Sequence, residues 1–199
     1  SKNGIMCSNI TYFNDNPVEA ITIDSVIGNS GLSHIIKRTK QQNNVKYSFK
    51  DEKYNDFFSL ENIKNYSSKI YHILNNIESQ EGIIFIYSKY IDSGVVPIAL
   101  ALEYNGYKKY DESLINNSPE SKGNYLIISG DQELSKNSYI DYIKLQNSNK
   151  NGEKIKIIIG SETASEGLDF SYIRHIYIFD PWFHLNKIEQ VIGRGIRNC

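Results

Sequence analysis

The pattern of apolar and polar positions becomes regular from Ser67 onward. Ile70, Ile73, Leu74 and Ile77 recur at the i, i+3, i+4 and i+7 spacing of an amphipathic helix. Ser67 stands just before them and can accept a hydrogen bond from a first-turn amide. The pattern therefore predicts a helix that begins directly after Ser67.

Four short apolar runs follow at residues 83–87, 125–128, 155–159 and 175–179. Each has the β-branched and aromatic composition of a strand that is buried on both faces. Helices are predicted between and after them, at 95–104, around Ile140 and Ile143, and at 185–192. Strands and helices that alternate in this way indicate right-handed crossovers and a mostly parallel sheet with helices on both faces. The predicted fold class is therefore a three-layer α/β domain.

The first 60 residues lack this regularity. A strand is expected at 20–23, followed by glycines at 28 and 31 and a polar run, rich in lysine and asparagine, that extends to Lys53. We therefore expect a less regular N-terminal extension or insertion over residues 1–60 and the α/β domain over residues 61–199.

Composition and charge narrow the function classes. Hydrophobic residues make up 40% of the 199 residues and charged residues 23%, which are ordinary values for a globular protein. Because Lys+Arg 22 and Asp+Glu 23 leave a net charge of -1, any contact with nucleic acid must be local. Cys7 and Cys199 are too few for a disulfide framework, and no apolar run has the length of a membrane span. These features predict an intracellular protein with no membrane partner.

The four histidines show no metal-ligand spacing with one another or with the cysteines, so no metal site is predicted.

Lys37, Arg38 and Lys40 form a small basic cluster, for which a solvated face is the first interpretation and a contact to a nucleic-acid backbone the alternative. Trp182 is expected to be a buried anchor of the turn after a strand, and a surface position that could stack on a base is the alternative.

Two segments that follow predicted strands contain the candidate chemistry: residues 160–170 and 190–197. Ligands of parallel sheets bind beyond the carboxyl ends of the strands, where both segments should meet. The second segment holds Arg194 and Arg197, two of only four arginines in the chain, with glycines on both sides of Arg194. The planar guanidinium group can bind phosphate oxygens in two directions, and glycine permits close approach. The alternative is a helix end with two surface arginines.

The two segments resemble motifs of superfamily 2 helicases, in the second RecA-like domain. Residues 190–197 are similar to motif VI, Q-x-x-G-R-x-x-R, and residues 83–88 are similar to motif IV. Motif V is matched at Ser161, Ala164, Gly167 and Asp169. The segments 85–88, 99–103 and 180–182 look most like helicases of large DNA viruses, including poxvirus early-transcription ATPases. The resemblance covers about residues 67–199 and implies a RecA-like fold.

The resemblance also implies roles for individual residues. Arg194 and Arg197 would be arginine fingers at the γ-phosphate of ATP, ordered by Gln190. Asp169 would accept a hydrogen bond from a ribose hydroxyl, with capping of a helix as its alternative role. Two glycines, Gly167 and Gly193, would help to bind the nucleotide. Hydroxyl and amide groups would contact the nucleic-acid backbone at Ser88, Ser129, Gly130, Ser161 and Thr163.

Two features qualify this assignment. The hydroxyl residues could instead be ordinary turn formers. Glu166 stands where many relatives have a basic residue, which argues against a phosphate contact at that position.

The sequence contains no G-x-x-x-x-G-K-[ST] motif and no Walker B strand, and Asp111–Glu112 is interpreted as a solvated loop. ATP and Mg²⁺ would therefore be held mainly by a first RecA-like lobe of a longer parent chain. Together these observations predict the second motor lobe of a nucleic-acid-dependent ATPase, which alone should not hydrolyse ATP. Its partners would be the P-loop lobe and single-stranded or duplex nucleic acid.

Two other functions remain open at this point. The first is a RecA-like interaction module that hydrolyses nothing and binds other subunits of a viral transcription or RNA-processing complex. The second is a small-molecule enzyme on a doubly wound sheet, for which no paired acid or histidine-centred site is visible. If the protein is viral, it is expected in the virion or in the host cytoplasm, whichever of these functions it has.

Overall fold

The computed structural model describes residues 2, 6, 9–12, 25–42, 44–115, 121–162, 164 and 168–180. Its helices are α1 Gly28–Ile35, α2 Leu60–Ile63, α3 Ser68–Ile77, α4 Val96–Tyr104 and α5 Ser138–Leu145. Its strands are β1 Ile36–Gln41, β2 Asn44–Phe49, β3 Ile83–Tyr87, β4 Lys108–Lys109, β5 Asn124–Ile128, β6 Ile157–Gly160 and β7 Ile173–Ile178. A π-helical turn, Ile91–Val95, leads into α4.

Five strands form one sheet in the order β4-β5-β6-β3-β7, and every pairing in it is parallel. Successive side chains of a strand point to opposite faces, and both faces are buried here. Ile84 and Ile86 join the cluster that contains α3 and α4, whereas Ile83 and Phe85 join the cluster with Tyr142 of α5. The predicted three-layer, RecA-like α/β fold is confirmed.

Helix α3 agrees with the pattern that predicts it. The Ser67 hydroxyl oxygen accepts a hydrogen bond of 3.2 Å from the amide of Ile70, which caps the first turn. The apolar positions of the predicted stripe are all buried: Ile70, Ile73, Leu74 and Ile77. The stripe therefore faces the sheet.

Helix α5 exists where Ile140 and Ile143 predict one, but it presents a different face to the core. Ile140 is 53% exposed and Ile143 is 44% exposed, whereas Tyr142 is fully buried. The buried residues of α5 are Ser138 and Tyr142, four positions apart. The larger apolar area of the tyrosine ring determines the rotation of the helix, and both isoleucines remain at the surface.

The chain before residue 60 packs on the same core. Helix α1 leads into an antiparallel hairpin of β1 and β2, which is not among the predicted elements: β2 alternates apolar and polar residues as a strand does, but β1 is almost entirely polar and has one buried residue. Ile10, Tyr12, Leu32 and Ile35 lie in the same hydrophobic cluster as the central strands. The proposed boundary at residue 60 stays a prediction.

Two predicted elements lie outside the described residues: the strand at 20–23 and the helix at 185–192. Lys108–Lys109 forms a two-residue edge strand, and Asp111 and Glu112 beyond it are exposed, as expected of a solvated loop. In the described ranges, no helix is both long and apolar enough to cross a membrane.

Candidate functional site

Three serines lie in a row at the carboxyl edge of the sheet. Ser88, Ser161 and Ser129 directly follow β3, β6 and β5, which are neighbouring strands. The amide of Ser88 donates to the carbonyl oxygen of Gly160 at 3.0 Å, and the amide of Ser161 donates to that of Ile128 at 3.0 Å. The structure therefore brings these three predicted nucleic-acid contacts together at one edge.

The hydroxyl groups at this edge hold the local turns. The fully buried Ser88 donates a hydrogen bond of 2.9 Å to Asp180. The Ser129 hydroxyl lies 2.9 Å from the hydroxyl of Ser135 and accepts from the amide of Asp131 at 3.2 Å. These contacts are those of turn formers, and the neighbouring Gly130 is exposed. A direct contact from these residues to a nucleic-acid strand stays a prediction.

Asp180, two residues after the end of β7, lies at the centre of a buried polar network. Its carboxylate accepts hydrogen bonds from the Asn9 amide group at 2.6 Å, from the Ser88 hydroxyl and from the backbone amide of Lys89. The Lys69 ammonium group donates to Asn9 Oδ1 at 2.7 Å and to the carbonyl oxygen of Phe179 at 2.7 Å. Burial lowers the pKa of Lys69, and the negative charge of Asp180 opposes that shift.

Sequence reasoning missed this network because Asn9 and Asp180 are 171 positions apart. One local signal was present: a charged residue, Asp180, directly after an apolar strand at the edge where ligands of parallel sheets bind.

Asp169 lies apart from the serines. Its carboxylate accepts from the hydroxyl and, at 2.9 Å, the amide of Ser171, and from the side-chain amide of Gln146 at 3.2 Å. These bonds, led by that of the Ser171 hydroxyl, lower the pKa of Asp169. Asp169 comes four residues before β7, and Gln146 follows α5, the helix that returns the chain from the carboxyl edge. Asp169 thus closes the turn before a strand, on the side where strands begin.

The basic cluster of β1 is paired with the loop after β5. Arg38 donates to both carboxylate oxygens of Asp131, at 3.1 and 3.3 Å, and to Glu133 at 3.0 Å, while Lys40 lies 2.8 Å from Glu133. Burial acts to lower the pKa of Arg38, but the bonds to the carboxylates outweigh it and raise that pKa. The cluster is exposed and two of its three charges are paired, which favours the solvated face over a contact with a nucleic-acid backbone.

The other predicted site residues lie outside the described residues: Thr163, Gly167, Gln190, Gly193, Arg194 and Arg197. Glu166 and Trp182 lie there too. In the part of the chain that the structure describes, no group of three or more histidines, cysteines or acidic residues could hold a metal ion.

Comparison with known proteins identifies the family. Residues 65–199 match the helicase conserved C-terminal domain. The chain belongs to this family. The match begins close to the predicted start of the α/β domain and includes the segments that resemble motifs IV, V and VI. The resemblance drawn from those motifs is confirmed.

Individual relatives of this helicase C-terminal domain include proteins of large DNA viruses. A protein of Acanthamoeba polyphaga mimivirus, whose name assigns it as an ATP-dependent RNA helicase, is 30% identical over 190 residues, covering 94% of this chain and 31% of the relative. A helicase of the killer plasmid pGKL-2 of Kluyveromyces lactis is 29% identical, over 83% of this chain and 28% of the relative. A termination factor NPH-I homolog of African swine fever virus is 27% identical, over 67% and 23%. The chain spans about a third or less of these relatives.

Proposed function

We propose that this helicase C-terminal domain is the second motor lobe of an ATP-dependent helicase or translocase. The observation that carries the proposal is the parallel order of β5, β6 and β3. It brings the carboxyl ends of three neighbouring strands, marked by Ser129, Ser161 and Ser88, to one edge of the sheet. The chain continues from the same edge, after Asp180, toward the motif VI residues. Ligands of parallel sheets bind at such an edge.

In this proposal the nucleotide is shared between two lobes. A P-loop lobe would hold ATP and Mg²⁺ for the most part, and the bound nucleotide would supply the phosphoanhydride bond whose cleavage drives movement. Arg194 and Arg197, ordered by Gln190, would direct guanidinium groups at the γ-phosphate, where negative charge increases in the transition state. Gly167 and Gly193 would permit close approach.

Asp169 fits an accessory role toward the nucleotide. Its carboxylate is exposed and its pKa is lowered, so it is an acceptor that suits a hydroxyl donor such as that of a ribose. Because Asp169 lies on the side where strands begin, the nucleotide would have to extend from the arginines toward that side.

The nucleic acid would lie along the carboxyl edge. Exposed Gly130 would offer its backbone groups there, which suits recognition of phosphate and sugar rather than of bases. The names of two relatives refer to RNA and to termination. We therefore propose that the protein acts inside the cell, and that its partners are a nucleic-acid strand and subunits of a transcription complex.

The test compares arginine variants in the full-length protein that contains the P-loop lobe. Arg197→Ala and Arg197→Lys should each lower the rate of ATP hydrolysis stimulated by nucleic acid about 1,000-fold, because neither alanine nor lysine has the planar guanidinium group. The affinity for the nucleic acid should change little. Arg174→Lys is the matched control, since Arg174 lies at the start of β7, away from the carboxyl edge. Equal activity in all three variants would show that Arg197 takes no part in hydrolysis and would favour an interaction role for this lobe.

The 199-residue chain by itself offers a second test. We expect it to release no phosphate from ATP above the background rate, because it has no P-loop. Hydrolysis by this chain that Arg194→Ala abolishes would contradict the division of labour between two lobes.

A further inference from the structure

The carboxylate of Asp180 ties three distant segments together at the carboxyl edge. It accepts hydrogen bonds from Asn9 in the upstream segment and from Ser88 and Lys89 in the turn after β3. Asp180 itself follows β7 and is only 8% exposed. A buried carboxylate is stable only when its oxygens are well supplied with donors and opposite charge, and both conditions hold here.

The cation of the network is Lys69, near the start of α3. Its ammonium group reaches Asn9 Oδ1 and the carbonyl oxygen of Phe179, the residue before Asp180. The Ser67 hydroxyl, which caps α3, also donates to the carbonyl oxygen of Asn9. The position of Asp180 is therefore fixed from the helix side as well as from the strand side.

Asp180 lies directly upstream of the segment that carries the motif VI residues. Gln190, Arg194 and Arg197 come ten to seventeen residues after Asp180. On the other side of the carboxylate, Ser88 is the last residue of the motif IV segment and Lys89 follows it directly. Asp180 thus joins the segment that leads to motif VI to the turn at the end of motif IV.

We propose that Asp180 is a positioning residue for the motor reaction: its carboxylate fixes the origin of the segment that carries Arg194 and Arg197 relative to the carboxyl edge. It does not itself touch nucleotide or nucleic acid. This inference rests on the proposed function and adds to it a residue outside the positions matched to motifs IV, V and VI.

An asparagine at position 180 cannot replace the carboxylate. One of its terminal groups is a donor, so it must face either the Lys89 amide or the pair formed by Ser88 and Asn9. Asn9 cannot turn to compensate without losing its bond to Lys69. Asp180→Asn keeps the size of the side chain but loses at least one hydrogen bond in either orientation.

The experiment measures strand-stimulated ATP hydrolysis by full-length wild type and Asp180→Asn. The matched control is Glu103→Gln, since Glu103 is a buried carboxylate that accepts from the amides of Leu114 and Ile115 and from the hydroxyl of Tyr125. We expect both variants to lose similar stability, but only Asp180→Asn to lower kcat about 10-fold or more, because a small displacement of catalytic groups has effects of that size. Its KM for ATP and its strand affinity should stay within about twofold.

Each outcome decides the inference. A kcat for Asp180→Asn within about twofold of wild type overturns it, and so does an equal fall in kcat for Glu103→Gln. If Asp180→Asn does not fold, Asn9→Ala removes one donor to the same carboxylate, and an unchanged kcat in that variant overturns the inference instead. An active Arg197→Ala would refute the proposed function itself, which separates the two failures.

Discussion

The hydroxyl of Tyr125 donates a hydrogen bond of 2.7 Å to the carboxylate of Glu103, inside the core between β5 and α4. The same carboxylate accepts from the amides of Leu114 and Ile115, so it also anchors the loop after the edge strand β4. Burial, followed by the charge of Glu103, raises the pKa of Tyr125 well above its ordinary value. The tyrosine therefore remains a donor throughout the normal pH range.

Two buried tyrosines should respond in opposite ways to the same substitution. Tyr125→Phe removes a donor to a buried carboxylate and should lower the free energy of unfolding by about 1.5–3 kcal/mol. Tyr142→Phe should be neutral or stabilising, because among the described residues the Tyr142 hydroxyl has no hydrogen-bond partner. Urea unfolding of both variants provides the measurement. Equal losses would show that Tyr142 is bonded in solution.

Gly94 is needed for close packing against the turn after β3. A Cβ atom at position 94 would lie 1.9 Å from the Ser88 hydroxyl oxygen and 2.7 Å from Ser88 Cβ. We expect Gly94→Ala to lower the free energy of unfolding by about 1–3 kcal/mol, as overpacking does elsewhere. Chemical denaturation should show that Gly94→Ala costs less stability in a Ser88→Gly background than in wild type. An equal cost in both backgrounds would mean that the strain lies elsewhere.

The ion pair between Arg38 and Asp131 should make a small contribution that depends on salt. Because the contact is bidentate and partly exposed, Arg38→Gln, which removes the charge, should lower the free energy of unfolding by about 0.5–1 kcal/mol at low ionic strength and less in 1 M salt. Lys37→Gln removes a charge at an exposed position of the same strand and serves as the matched control. A loss that stays the same in high salt would argue against an electrostatic origin.

Asp169 should contribute to the fall of the free energy of unfolding at low pH. Its pKa in the folded protein is below the ordinary 3.8, so its contribution is complete above about pH 3.8 and is lost as the pH falls through the folded value. NMR titration of the carboxyl carbon should show this low pKa, and Ser171→Ala should move it upward. Titration at the ordinary value in wild type would show that the bonds to Ser171 do not form in solution.

The sequence was most informative where residues that are close together in the chain determine the local structure. Ser67 and the stripe behind it predicted α3, and the apolar run at 83–87 predicted β3. The rotation of α5 was missed because Tyr142 and the isoleucines on either side differ in burial through tertiary packing, which periodicity does not contain.

The candidate site was predictable in part for a similar reason. The parallel order of the strands places Ser88, Ser129 and Ser161 at one edge, and alternation of strands and helices already indicates that order. The network around Asp180 was not predictable, because its donors come from Asn9 and Ser88, far apart in the chain. The hairpin was not predictable because β1 is almost entirely polar, although β2 alternates apolar and polar residues.

The topology of the five-stranded sheet sets an order of events for newly made protein. Ile84 of β3, an inner strand of the sheet, pairs with Ile157 and His175, each more than 70 positions later. At an elongation rate of about 5–20 residues per second, this apolar run waits several seconds for either partner to emerge from the ribosome. Pairings between such distant segments also form slowly. Until a partner strand emerges, this apolar run is an unpaired strand that is prone to aggregation.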